Sequence, residues 1–379
     1  MSALCVDVET STHNNGAPYD RRNTIVCYSW ADETSAGANK VTSDSIEILR
    51  DKILGARVLI GHNIKFDIHW LNKIGIEVPE ICRVHDTQTG EFILSRQTER
   101  YPSLEDALVR HDLGHKLDVV KTEYWAKGIQ TEDVPWPILE EYAIWDAKMT
   151  LALYHKQQEL LTQNQKRLVN LMGMDLLILQ TMEKNGLVYD EELCHKRAEE
   201  IKGEIQRITE KLSSIYPNVP INFGSGDQLS AFLYGGTIVE EGKEHIGFFK
   251  SGARVGEPKY KNIEILHELP RLVTPLRGSE LKKEGFWATN QDTLLKLKGN
   301  KATKAIIELI QRQVRLDTLL SKTYEGIIKV NREQMWEPGV LHGQLNQCVA
   351  VSGRLSASKP NQQNFDGEAA DLFVSRYSD

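Results

Sequence analysis

Residues 6–10 read Val-Asp-Val-Glu-Thr, in an apolar run that opens at Leu4. Side chains alternate along a β-strand, so Val6 and Val8 take one face while Asp7 and Glu9 take the other. The two acids then lie side by side and repel each other unless a positive charge lies between them. Taken alone, the pair describes a solvated sheet edge. Its meaning depends on what the rest of the chain brings to that face.

The following segments build an α/β domain. "TIVCYSWA" and "VLIGHN" read as further strands, and the turn-rich "STHNNGAPYDRRN" separates the first two. "IKFDIHWLNKIG" reads as a helix after the apolar strand at 58–63. "SLEDALVRHDL" opens on a Ser N-cap with acids in its first turn, and "PWPILEEYAIWDAKMTLALYHKQQELL" is a long helix with Pro near its start. Strands interleaved with helices predict an α/β layer. From about 161 the chain turns helical. It is interrupted at about 236–288 by a segment with β-branched and aromatic residues and Gly turns, "HIGFFKSGARVGEPKYKNIEIL", which predicts a β-hairpin-like insert. Helix returns over "NKATKAIIELIQRQVRLDTLLSKTYEGIIKVNRE", and the stretch from "GVLHGQLNQCVAVSGRL" predicts strands again.

Two more acids deserve notice. Asp67 lies one turn into its helix, with Phe66 and Trp70 facing the core. Tyr142 and Asp146 are four apart on theirs and so share a face. His62 and His69 flank Asp67 but are seven apart and lack the H-E-x-x-H spacing of a transition-metal site. His69 therefore reads as a helix-surface residue. The five cysteines are scattered and form no C-x-x-C pair, so neither zinc nor a disulfide framework is indicated, and a reducing, cytoplasmic setting is expected. No apolar run reaches the ~18–20 residues of a membrane span. The net charge of −7 excludes a simple basic coat for nucleic acid. A nucleic-acid-binding chain of this composition needs a local patch, and some of its acids need another task, such as holding metals.

An acid pair on the first strand, N-x-x-F-D after a later strand and Y-x-x-x-D on the closing helix resemble, in that order, the three motifs of the 3′–5′ exonuclease superfamily with four acids and a tyrosine. The resemblance implies a ribonuclease-H-like fold. It also implies that Asp7 and Glu9 form the first motif, Asn63 and Asp67 the second, and Tyr142 and Asp146 the third. Asp7 would bridge two Mg²⁺ ions (with Mn²⁺ as the alternative), Glu9 and Asp146 would complete the nucleophile-side metal, and Asp67 would serve the other. Tyr142 would orient the attacking water, and Thr10 would sit near the DNA 3′ end. Such a two-metal site stabilises both the attacking and the leaving oxygen of a cleaved phosphodiester.

The rest of the chain resembles family A, polymerase-I-like DNA polymerases. "LILQTMEKNGLVYDEELC" is similar to the segment that opens their thumb, and "INFGSGDQLSAFLYGG" to the thumb tip, with Phe223-Gly224 where Pro is common. "HGQLNQCVAVSGRLSASKPNQQNF" is similar to the first palm strands and the T-G-R-L-S-S-x-x-P-N-L-Q-N motif, departing at Ser352, Ala357 and Gln362 and, just after it, at Phe365. By that resemblance Arg354 would reach the minor groove at the primer terminus, where every base pair presents an acceptor. Asn361, Gln363 and Asn364 would hold the primer–template backbone. The domains implied are a 3′–5′ exonuclease domain at 1–160, a helical thumb at 161–335 with its insert, and the beginning of the palm at 336–379.

"LFVSRYSD" is similar to the run just before the first catalytic polymerase motif, placing Asp379 in the turn ahead of that strand, and the catalytic Asp does not follow. A split gene with a second polypeptide carrying the rest of palm and fingers, or a fragment, is therefore expected. No nucleotidyl transfer is expected from this chain alone. Opening at the exonuclease resembles phage-type polymerases. The expected partners are the single-stranded 3′ end and primer–template DNA, and no membrane. The competing readings are a catalytically silent DNA-binding subunit that completes a palm–fingers chain, and an RNA-processing exonuclease of the same superfamily.

Overall fold

Strand β1 (Ala3–Thr10) is the centre of a five-stranded sheet, with β2 (Ile25–Ala31) and β3 (Ala36–Lys40) on one side and β4 (Val58–Gly61) and β5 (Arg83–Asp86) on the other. β1 runs antiparallel to β2 and parallel to β4, and β4 is parallel to β5. This is the ribonuclease-H-like sheet that the sequence resemblance implies. The computed structural model of the protein describes residues 2–252, 254–365 and 367–375. The turn expected at Asp379 lies outside them. The chain divides into two compact units, Met1–Glu191 with Gly326–Asp379, and Glu192–Glu325.

The alternation read from residues 3–10 decides which helix each residue meets. Leu4, Val6 and Val8 pack with Leu49 and Ile53 of α1 (Ser43–Gly55) and with Ile68, Trp70 and Leu71 of α2 (Lys65–Lys73). Each such buried side chain contributes roughly 1.5–3 kcal/mol relative to exposure. On the opposite face Ala3 and Cys5 lie under Ala147 and Leu151 of α6 (Trp136–Leu160). Small residues at these positions let helix and strand approach closely. The first turn of α6 carries Pro137, whose fixed φ suits a helix start.

The first unit continues with α3 (Thr87–Leu94), α4 (Leu104–Arg110), α5 (Val119–Glu123), α7 (Gln163–Asn185) and the short β6 (Leu187–Val188). Ser103 caps α4, accepting from the Asp106 amide, as its sequence predicts.

The second unit is mainly helical, with α8 (Glu191–Ser213), α9 (Gly226–Tyr234), α10 (Gln291–Lys296) and α11 (Lys301–Leu319). On α11, Ile307, Ile310, Leu316 and Leu319 line one buried stripe. The expected β insert is the antiparallel ribbon β7 (Gly236–Phe248) and β8 (Pro258–Leu269).

After α12 (Glu325–Glu333) the chain returns to the first unit. β9 (Val340–Leu341) pairs with β6, and β10 (Gln344–Asn346) pairs with β11 (Ser356–Ser358). The strands predicted from residue 339 onward are therefore short, and the residues between them are loop.

Candidate active site

Asp7 and Glu9 continue the row begun by Ala3 and Cys5, so they face the N-terminal half of α6. There Tyr142 and Asp146, one helical turn apart, point back at them. One carboxylate oxygen from each of Asp7, Glu9 and Asp146 lies within 4.8 Å of the other two. Glu9, Asp146 and Tyr142 are buried, and Asp7 is half-buried. The reading of the acid pair as a solvated edge is thereby overturned, because α6 roofs it.

Asp67 comes from the other side. It is 3% exposed, on a helix that packs under the valine face, and its Oδ1 accepts the Val8 amide at 3.0 Å. It does not share the close oxygen cluster of the other three acids, but its charge is felt by Glu9 and Cys5.

Burial raises all four carboxyls. Asp7 is pushed up to about 7, first by burial and then by Asp146, with Lys116 opposing. Glu9 and Asp67 are pushed well above the usual carboxylate range by burial and then by Asp7. Asp146 is raised by burial against the pull of Lys116. Like charges in a low-dielectric pocket call for a proton or a cation. The donors here are all hard oxygens, and Asp146 Oδ1 is buried with no hydrogen-bond partner. That set fits a hard divalent ion. Tyr142 is held above the ordinary phenol value, by burial first and Glu9 next, so its hydroxyl keeps its proton. The Trp125 ring meets it edge-on at 5.8 Å.

A cavity of about 470 Å³ opens beside Glu9, lined also by Thr10, Thr12, Gly16, Phe66 and Trp125. Thr10 is buried, with its hydroxyl donating to the Ser11 carbonyl at 3.0 Å. Gly16 sits at φ +69°, and a Cβ there would meet Thr10 Oγ1 at 2.4 Å and Phe66 Cζ at 3.2 Å. Asn63 has a left-handed backbone, φ +59°, and its side chain is exposed. Its amide donates to Asp86 Oδ1 at 2.7 Å.

The DNA-contact candidates of the last segment lie elsewhere in the first unit. Arg354, Asn361, Gln363 and Asn364 are all exposed. Asn361 Oδ1 accepts the Gln363 amide at 3.2 Å, closing the turn that carries Asn364.

Three residues were passed over by the sequence reading. Lys116 Nζ lies 2.5 Å from Asp146 Oδ2. Asp86 caps α3 and fixes the Asn63 turn, and an Asp-Thr pair directly after a strand was the available signal. Glu183 belongs to the quoted thumb-opening motif, but nothing in the motif says what it touches. It accepts from Lys65 Nζ at 2.6 Å, from His69 Nε2 at 2.7 Å and from the Leu345 amide at 2.5 Å. His69 is consequently not a helix-surface residue. It is 5% exposed, because α7 covers that flank of α2 and supplies Glu183. No helix among the described residues is long and apolar enough to cross a membrane.

Comparison with known proteins finds two matching stretches in the chain. Residues 1–162 match the family model for 3′–5′ exonuclease, and residues 262–372 match that for DNA polymerase family A. The DNA polymerase of Bacillus phage SP01 is 25% identical over 323 residues, which is 81% of this chain and 34% of that protein. DNA polymerase I of Bacillus subtilis (strain 168) is 25% identical over 260 residues, 68% of this chain and 24% of that protein. The chain thus spans about a third or less of these relatives. Among solved structures, the POL domain of Pol1 from M. smegmatis in complex with DNA primer-template and dNTP superposes with a TM-score of 0.64 at 18% identity. That match covers 96% of this chain and 52% of the other.

Proposed function

We propose that this chain, which carries the 3′–5′ exonuclease region and part of the thumb and palm of a family A DNA polymerase, hydrolyses phosphodiester bonds at DNA 3′ ends and so proofreads replication. The observation that carries the reading is the convergence of Asp7, Glu9 and Asp146 within 4.8 Å beside a cavity of nucleotide size. Two Mg²⁺ ions, or Mn²⁺ in their place, would supply Lewis-acid activation of water and phosphate. Asp7, Glu9 and Asp146 would hold one, and Asp67 with Asp7 the other. The protonated Tyr142 hydroxyl would orient the attacking water. Thr10 and Asn63 would position the terminal nucleotide, with Phe66 and Trp125 bounding its space.

The domain division goes with this reading: exonuclease over 1–160, thumb over 161–335 and the start of the palm over 336–379. Exposed Arg354, Asn361, Gln363 and Asn364 would grip the primer–template backbone and its minor groove. Nucleotidyl transfer would need catalytic groups from outside this sequence, in a second polypeptide or a continuation of the chain. The similarity to a phage polymerase supports a phage-type gene acting in a host cytoplasm.

The test is digestion of a 5′-labelled single-stranded oligonucleotide with Mg²⁺. The expected product is a ladder shortened from the 3′ end, abolished in the double variant Asp7→Ala, Glu9→Ala. Undiminished cleavage by that variant overturns the reading, and a preference for RNA over DNA would move it to RNA processing.

A further inference from the structure

Lys116 is the one cation paired with the acid cluster among the described residues, and its position is built. It lies in the loop between α4 and α5. Its amide donates to Glu105 Oε2 at 2.7 Å, and the neighbouring His115 Nδ1 shares a hydrogen bond with Glu105 Oε1 at 2.7 Å. From the other side Trp145 Nε1 donates to the His115 carbonyl at 2.9 Å. Trp145 directly precedes Asp146 on α6. The loop is thus clamped by α4 and by the very turn of α6 that carries the carboxylate.

The ammonium reaches Asp146 Oδ2 at 2.5 Å and stands 5.6 Å from the centre of the Tyr142 ring. Burial would lower the Lys116 pKa. Asp146, Asp7 and Glu9 together outweigh it and hold the group above its ordinary value, so it stays charged. Asp146 is left with one oxygen on the lysine and the other, Oδ1, buried and unpartnered. One carboxylate therefore offers a fixed internal cation on one side and an open acceptor on the other.

We propose that Lys116 is a positioning residue that occupies part of the charge demand of the Asp7–Glu9–Asp146 cluster and thereby weakens its hold on divalent ions. This rests on reading those three acids as metal ligands. Two consequences follow from electrostatics. Before an ion binds, Lys116 offsets the repulsion among the buried carboxylates and keeps Asp146 in place. When an ion binds Oδ1, the nearby ammonium repels it, so affinity is lower than these three acids would otherwise give. A weaker and more readily emptied site is the outcome.

The experiment uses the full chain, stripped with EDTA and titrated with Mn²⁺ by calorimetry. The variants are Lys116→Met, Lys116→Arg, and Asp7→Asn with Glu9→Gln as the site control. Lys116→Met should bind Mn²⁺ at least about tenfold more tightly than wild type, while Lys116→Arg, keeping the charge, stays near wild type. Melting without metal gives a second readout. Lys116→Met should melt lower than wild type and be raised further by saturating Mn²⁺, and a variant folded only with Mn²⁺ also meets the expectation. Equal affinities in wild type and Lys116→Met overturn the lysine inference and leave the metal site standing. Binding in wild type that is unchanged in the Asp7, Glu9 control, or absent altogether, overturns the metal reading and this inference with it. A Lys116→Met protein that Mn²⁺ does not restore overturns the inference as well.

Discussion

The Val8 amide donates to Oδ1 of Asp67 at 3.0 Å, joining the central strand to a helix 59 residues further along the chain. The pairing has a simple cause. β1 is registered with β4 only as far as Cys5, opposite Ile60. Beyond that point the β4-side edge of β1 has no strand to satisfy it, and a buried amide left unpaired is costly. Asp67 fills the place that a carbonyl of β4 would take. The same carboxylate is thus a structural acceptor and, in the proposed function, one of the acids that would hold a metal ion.

The two tasks separate by substitution. Asp67→Asn keeps an oxygen for the Val8 amide and loses the charge, whereas Asp67→Ala strands the amide. Asp67→Ala should lose about 1–3 kcal/mol of stability in urea denaturation, with Asp67→Asn close to wild type. Both should lose exonuclease activity. Full activity in a stable Asp67→Asn protein would leave Asp67 only its structural task.

Gly16 sets the shape of the cavity beside Glu9. Its positive φ and the 2.4 Å approach of a would-be Cβ to Thr10 Oγ1 leave no room for a side chain. Gly16→Ala should lose about 1–2 kcal/mol through backbone strain. It should also push on Thr10 and Phe66, raising KM for single-stranded DNA more than it lowers kcat. Steady-state kinetics on a short oligonucleotide with a thermal melt of the same sample checks both.

The parts of this architecture with a short sequence period were legible in advance. Asp7 and Glu9 were placed on one face by a period of two, and Tyr142 with Asp146 by a spacing of four. The β7–β8 ribbon was readable from β-branched residues between Gly turns. What escaped depends on contacts between distant segments. No local pattern says that Lys116 lies against Asp146 or that Glu183 reaches Leu345, 162 residues away. His69 was misread for the same reason. A polar residue on a helix is normally exposed, and only the arrival of α7 buries it.

Glu183 ties helix α2 to the strand at Leu345, since Lys65 Nζ also donates to the Leu345 carbonyl at 2.6 Å. Lys65 and Glu183 are both largely buried. Glu183→Gln leaves the Lys65 charge without its partner and should destabilise the protein by roughly 3 kcal/mol in urea denaturation. Asp67 lies between Lys65 and His69 on α2. Exonuclease kcat should therefore fall about tenfold, as a small misplacement of a reacting group does. A variant as stable and as active as wild type would show that the link positions nothing.

Acid should loosen the same link, in two steps. Glu183 is ionised and only accepts, so His69 must donate from Nε2. Its Nδ1 then accepts from the Tyr19 hydroxyl at 2.6 Å, which fixes a neutral imidazole. Burial lowers the His69 pKa below its ordinary 6.5, although Glu183 pulls the other way. Glu183, which burial alone would raise, is lowered below 4.5 by His69, Lys65 and the Leu345 amide. For both groups the unfolded chain binds protons more readily than the folded one, so stability rises with pH across each interval. The His69 contribution is complete above about pH 6.5 and is lost as pH falls toward its folded pKa, and the Glu183 contribution is lost below about 4.5. Half-buried His62 and buried His85 are lowered too and add to the upper step in every variant that keeps them. The comparison of wild type with His69→Gln cancels them. The melting temperature advantage of wild type over His69→Gln should shrink between pH 7.5 and 5.5. A constant difference across that range would mean that His69 does not change its protonation on unfolding.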